Sequence, residues 1–141
     1  MNILFFLKPK CEVAHLHDDC TVRQAIEKMR SSGYTALPLI DREGHYIATV
    51  TEGDFLWFSL SYNSDNILRI AEQTPLTAIK PRTINKAVSV NAKLEDLLLM
   101  MMNQNFVPVT DDRDIFIGII TRRDVLQYFY DRHQKSKDSD E

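Results

Sequence analysis

The sequence predicts an α+β fold made of two copies of one unit, strand–helix–strand–strand–helix, related by a pseudo-twofold axis. Three observations predict it. An apolar strand running into Thr-x-x-Asp occurs twice, at Thr51-Glu52-Gly53-Asp54 and at Thr121-Arg122-Arg123-Asp124, 70 residues apart. An apolar helical face at i, i+3, i+4 and i+7 also occurs twice, at Val22, Ala25, Ile26 and Met29 and at Leu94, Leu97, Leu98 and Met101, 72 residues apart. So does a short apolar run with proline in second place, Leu37-Pro38-Leu39-Ile40 and Val107-Pro108-Val109-Thr110.

The elements follow in chain order. Leu7-Lys8-Pro9-Lys10 opens the first repeat and Ile79-Lys80-Pro81-Arg82 the second. Extended segments at 12–17 and 86–90 come next, then the two amphipathic helices; Thr21 with Gln24 forms a capping box at the first. The spacing shortens from 72 to 70 between helix and strand, where Gly33-Tyr34-Thr35-Ala36 faces a shorter connection ending Asn105-Phe106. Turns rich in aspartate, at 41–44 and 111–114, close each strand pair into a hairpin. Between the repeats, 61–74 is expected to be a polar loop and a short helix, capped by Ser64 or Asp65, with Ile67, Leu68 and Ala71 on its apolar side and its end before Pro75. The expected organisation is a first repeat over 1–62, a connector over 63–78, a second repeat over 79–132 and a disordered polar tail over 133–141.

Composition narrows the function. The 141 residues are 44% hydrophobic and 26% charged with a net charge of −3, an ordinary globular balance without the basic footprint of a DNA or RNA binder. The apolar run Ile3–Leu7 is too short to span a bilayer, so a cytoplasmic protein without a membrane partner is expected. Cys11, His15, His17 and Cys20 crowd into ten residues of extended chain without the usual zinc-ligand spacing, and no metal site is expected. No nucleophile–base pair, Walker loop or metalloprotease motif is present, so an enzyme is not expected.

The two junctions carry the chemistry. A helix N-terminus offers unpaired N–H groups and partial positive charge to a phosphate. At the second junction Arg122 and Arg123 add two guanidinium groups; the first junction has Glu52 and Gly53 instead. A capping box favours Glu or Gln at its last position, so aspartate in both copies points to a second task beside capping. Tyr34, beside a glycine, is placed to stack on a base, and backbone groups at strand ends suit adenine, which offers a donor next to acceptors.

The repeated pattern, the apolar-Pro-apolar strands and the Thr-x-x-Asp junctions together resemble the CBS domain pair, over nearly the whole chain. Ala48 departs from the resemblance, standing where the second repeat keeps Gly118, and suggests a narrower approach on that side. Val13-Ala14-His15, Gly33-Tyr34-Thr35-Ala36 and Thr121-Arg122-Arg123 are similar to the ligand contacts of small stand-alone bacterial CBS proteins that bind cyclic di-AMP. The resemblance implies two clefts, each combining the junction of one repeat with the strand entrances of the other. The first takes Val13, Ala14, His15, Gly33, Tyr34, Thr35, Ala36 and Pro38 with Thr121, Arg122, Arg123 and Asp124. A second, weaker one takes Lys86, Asn105 and Phe106 with Thr51 and Asp54. It further implies a regulatory protein, with no cofactor, that binds an adenine nucleotide and acts on a protein partner. It also implies a homodimer through the apolar helices that follow each junction. A sensor of AMP, ADP or ATP and a ligand-free interaction scaffold remain as alternatives.

Overall fold

The computed structural model describes residues 1–63 and 65–140. Strands β1 (Lys8–Pro9) and β2 (Leu16–His17) precede helix α1 (Val22–Ser32), hairpin strands β3 (Ala36–Ile40) and β4 (Tyr46–Thr51) and helix α2 (Glu52–Leu60). Helix α3 (Ile67–Gln73) connects to β5 (Val88–Ser89), α4 (Leu94–Met101), β6 (Phe106–Thr110), β7 (Phe116–Thr121) and α5 (Arg122–Asp140). The mixed α+β class and the duplicated unit are as the spacing predicts. Thr21 and Gln24 form the expected capping box on α1, which ends on Gly33 in the left-handed conformation, φ 75°. Asn66, not Ser64 or Asp65, stands at the N-cap of α3; Ser64 lies outside the described residues. Helix α5 continues through 133–140, the stretch expected to be disordered, with Ser139 and Arg132 bonded back to Ser136 and Tyr128 one turn earlier.

Each repeat builds its own sheet. One runs β2-β3-β4; the other runs β1-β7-β6-β5 and so contains a strand from the first repeat. This exchange extends to the cores. Ile3 and Phe6, from the start of the chain, are buried with Val88, Leu97, Val107 and Ile120 of the second repeat. Leu76, from the end of the connector, and Ile79, which opens the second repeat, pack with Leu16, Ala25, Leu37 and Val50 of the first. The opening segment of each repeat therefore seals the core of the other, which neither small sheet could close alone.

The exchange also explains why one junction strand has Gly118 and the other Ala48. Strand β1 lies antiparallel on β7 with Pro9 opposite Gly118. A Cβ at position 118 would sit 2.1 Å from the Lys8 carbonyl oxygen and 2.9 Å from Leu7 Cδ1. Strand β4 is an edge of its sheet, and Ala48 meets no such strand. Glycine at 118 is thus required by strand packing, and Ala48 is not among the residues that line the cavity between the two junctions.

Candidate functional site

Both Thr-x-x-Asp junctions are pinned to the strand entrances of their own repeats. The Glu52 N–H donates to the Thr35 carbonyl at 3.0 Å, and the Arg122 N–H to the Asn105 carbonyl at 2.8 Å. On the other side of each sheet the parallel pairing is also equivalent, Leu16 opposite Leu39 and Val88 opposite Val109. The flanking bonds Asp18 N–H to Ile40 O and Val90 N–H to Thr110 O are both 3.0 Å. Thr35 therefore matches Asn105, Tyr34 matches Gln104, and Ala14 matches Lys86.

Between the junctions lies one cavity of about 520 Å³, within the usual range of small-molecule sites. Val13, Ala14, Tyr34, Thr35, Ala36, Pro38 and Thr121 line it, and so do Thr51, Asn105 and Phe106. The two clefts expected from sequence are thus halves of a single space.

Other predicted residues are placed elsewhere. The His15 ring bonds the Val13 carbonyl through Nδ1 at 2.9 Å and packs against His17 and Phe116 beside the cavity. Burial lowers its pKa below the usual 6.5, with the bond to Val13 opposing. Gly33 lines a separate shallow depression with Tyr34 and Glu52. Arg122 and Arg123 border another, with Leu126 and Tyr130; Asn105 lines both this groove and the cavity, so the two adjoin. The reason is local: Arg122 Nε donates to the Met101 carbonyl at 2.8 Å, a charged cap on the C-terminal end of α4.

The junction aspartates differ in availability. Asp54 is 3% exposed. Its carboxylate accepts from the Thr51 N–H at 2.8 Å, the Thr51 hydroxyl at 3.2 Å and the Arg82 N–H at 3.0 Å. Aspartate does perform the cap here, contrary to the length argument from sequence, and it also anchors the opening segment of the second repeat. Asp124 is half-exposed; its N–H donates to Thr121 Oγ1 at 3.2 Å while its carboxylate faces Lys8 Nζ at 3.5 Å.

Several cavity residues carry no motif and were not legible in the sequence: Lys8, Glu12, Thr83, Asn85 and Gln104. Lys8 was the most accessible of these, since Lys80 repeats it 72 residues on. Asn85 sits in coil and is held by a distant partner: Tyr46 Oη donates to its carbonyl at 2.6 Å and shares a 2.8 Å bond with Thr49. Burial pushes the Tyr46 phenol up to about 12. Lys86 lies outside the lining, its N–H donating to Gln104 Oε1 at 3.2 Å.

Two sheets, one of which holds the opening strand of the other repeat, flank a shared cavity. The CBS domain model matches residues 7–61 and 65–131, and the chain belongs to that family: it is a CBS-pair protein. The uncharacterized protein MJ1225 of Methanocaldococcus jannaschii is 28% identical over 114 residues, 77% of this chain; the match spans 40% of that protein's length. Among solved structures, CbpB in complex with c-di-AMP has a TM-score of 0.86 at 21% identity, covering 99% of this chain and 91% of that one. CBSX2 in complex with AMP has a TM-score of 0.71 at 21% identity, covering 94% and 98%. No helix among the described residues is long and apolar enough to cross a membrane.

Proposed function

We propose that this protein is a cytoplasmic, non-catalytic regulator that takes an adenine nucleotide into the shared cavity, with cyclic di-AMP first among candidates. It would control a protein partner through ligand-dependent interaction. One observation supports the reading: the cavity is lined by an aromatic ring suited to a base and by a helix start with a lysine suited to a phosphate. The half-exposed Tyr34 and Ala14 line it at the strand entrances of the first repeat. Thr121, at the start of α5, lines it with Lys8, which faces Asp124, and the two arginines border the adjoining groove. The complexes formed by CbpB and CBSX2 support an adenine ligand for this fold. The AMP bound by CBSX2 also favours a mononucleotide sensor as the second reading.

The helices after the junctions expose Leu56, Trp57 and Leu60 on α2 and Leu126, Phe129 and Tyr130 on α5. This apolar surface supports self-association as a homodimer. Regulation then requires that ligand and partner favour different states of the module.

A thermal-shift screen of cyclic di-AMP, AMP, ADP and ATP tests the ligand, followed by titration of the best one into Arg122→Ala and Arg123→Ala. Losing a charge-assisted bond to phosphate lowers affinity by about tenfold or more. Unchanged affinity in both variants removes the arginines from the site. Absence of a shift with every nucleotide leaves the ligand-free scaffold as the better reading.

A further inference from the structure

The two ends of the cavity differ most at one side chain. Gln104 is only 7% exposed. Its Oε1 accepts from the Lys86 N–H at 3.2 Å, and its Nε2 donates to the Lys86 carbonyl at 3.1 Å and the Phe106 carbonyl at 3.3 Å. The carboxamide thus engages the donor and the acceptor of a single backbone residue. An adenine edge offers the same pair, a ring-nitrogen acceptor next to an amino donor, and a carboxamide presents them side by side.

The first repeat has no such group. Tyr34, which matches Gln104, is 55% exposed. Among the described residues no protein group hydrogen-bonds the N–H or C=O of Ala14, which matches Lys86 and lines the cavity. The junction carboxylates differ in the same direction. Asp54, the junction carboxylate of the half that holds Gln104, is occupied by three donors, whereas among the described residues the Asp124 carboxylate meets the exposed Lys8 ammonium.

We propose that Gln104 is a built-in occupant of the second base position. Its carboxamide stands where a purine edge would bind, so each chain recognises one adenine, at Ala14 and Tyr34, and Gln104 sets that limit. The inference rests on the nucleotide reading above. A dinucleotide bound here has its second base held without a backbone donor–acceptor pair.

Calorimetric titration of AMP into the full chain and into Gln104→Ala and Gln104→Tyr tests it, with exchange of the Lys86 amide proton by NMR as a second readout. The expected result is one AMP per chain in the parent and two in a variant. The Lys86 amide should exchange quickly in the free variant and become protected again when AMP is added. Two AMP per parent chain overturns the proposal, as does a folded variant that still binds one AMP without protecting Lys86; both leave the nucleotide reading intact. A parent that binds none, with a variant binding one at Lys86, keeps Gln104 as the occupant of the second position and overturns the adenine at Ala14 and Tyr34. Binding by neither removes both. Should both Gln104 variants fail to fold, exposed position 34 supplies the converse. Tyr34→Gln builds the same internal group over Ala14 and should bind AMP about tenfold more weakly than Tyr34→Ala, because the carboxamide competes for the same backbone pair. Equal affinities overturn the proposal.

Discussion

Replacing Gly118 by alanine tests how the two repeats are joined. The added Cβ would lie 2.1 Å from the Lys8 carbonyl oxygen, a backbone atom that cannot rotate away. Position 118 also holds φ at 156°, a conformation alanine rarely adopts. Strand β1 must therefore lift from β7. Overpacking costs about 1–3 kcal/mol and a weakened backbone ladder about 1 kcal/mol per bond, so the variant should lose about 2–4 kcal/mol of stability. For a chain of this size that is a fall of about 5–15 °C in Tm. Differential scanning fluorimetry with a matching urea titration measures it, with Ala48→Gly as the control. That change sits on an edge strand with no neighbouring strand over it and should cost only about 0.5–1 kcal/mol. Because Lys8 lines the cavity, Gly118→Ala should also weaken the proposed nucleotide binding. A Tm within about 2 °C of the parent, with the β1 amides still protected from exchange, would refute the packing argument.

Asp54→Ala leaves partly buried donors unpaired and should cost about 1–3 kcal/mol. Asp124→Ala, at a half-exposed side chain, should change stability by less than about 1 kcal/mol yet weaken nucleotide binding; urea unfolding beside calorimetry separates the two effects. Burial depresses the His15 pKa in the fold, so the unfolded chain binds more protons below the usual 6.5. Its contribution is fully present above that pH and declines as pH falls, and a Tm series from pH 8 to 5 should show a shallower acid-side fall in His15→Gln. Light scattering should give a dimer mass for the parent at micromolar concentration and a smaller mass for Leu60→Glu combined with Leu126→Glu. A monomeric parent removes the proposed self-association.

Most of the fold was legible because it is local and duplicated. Helix faces, capping residues, turns and the Thr-x-x-Asp junctions depend on neighbours within a few positions, and each appears twice in the chain. The cavity was legible where it is built from strand ends, at Val13, Ala14, Tyr34, Thr35, Ala36, Pro38, Thr121, Thr51, Asn105 and Phe106. Its remaining lining was not, because Thr83, Asn85 and Gln104 arrive through contacts with no sequence period. The arginines show the opposite difficulty. Charge and position indicated a phosphate, but in the ligand-free fold Arg122 finds a nearer carbonyl at the end of α4.

By itself, the sequence determined the duplicated unit and the junction that begins each final helix. The same short pattern of apolar and capping residues, written twice, admits few other arrangements. Only the tertiary structure decided that the repeats exchange their opening segments, that Gly118 makes room for one of them, and that two expected clefts are one cavity. It alone also distinguished Asp54, closed into a buried cap, from Asp124, open beside Lys8. These outcomes depend on which surfaces meet across the pseudo-twofold axis, and two repeats of near-identical pattern become unequal only once each is packed against the other.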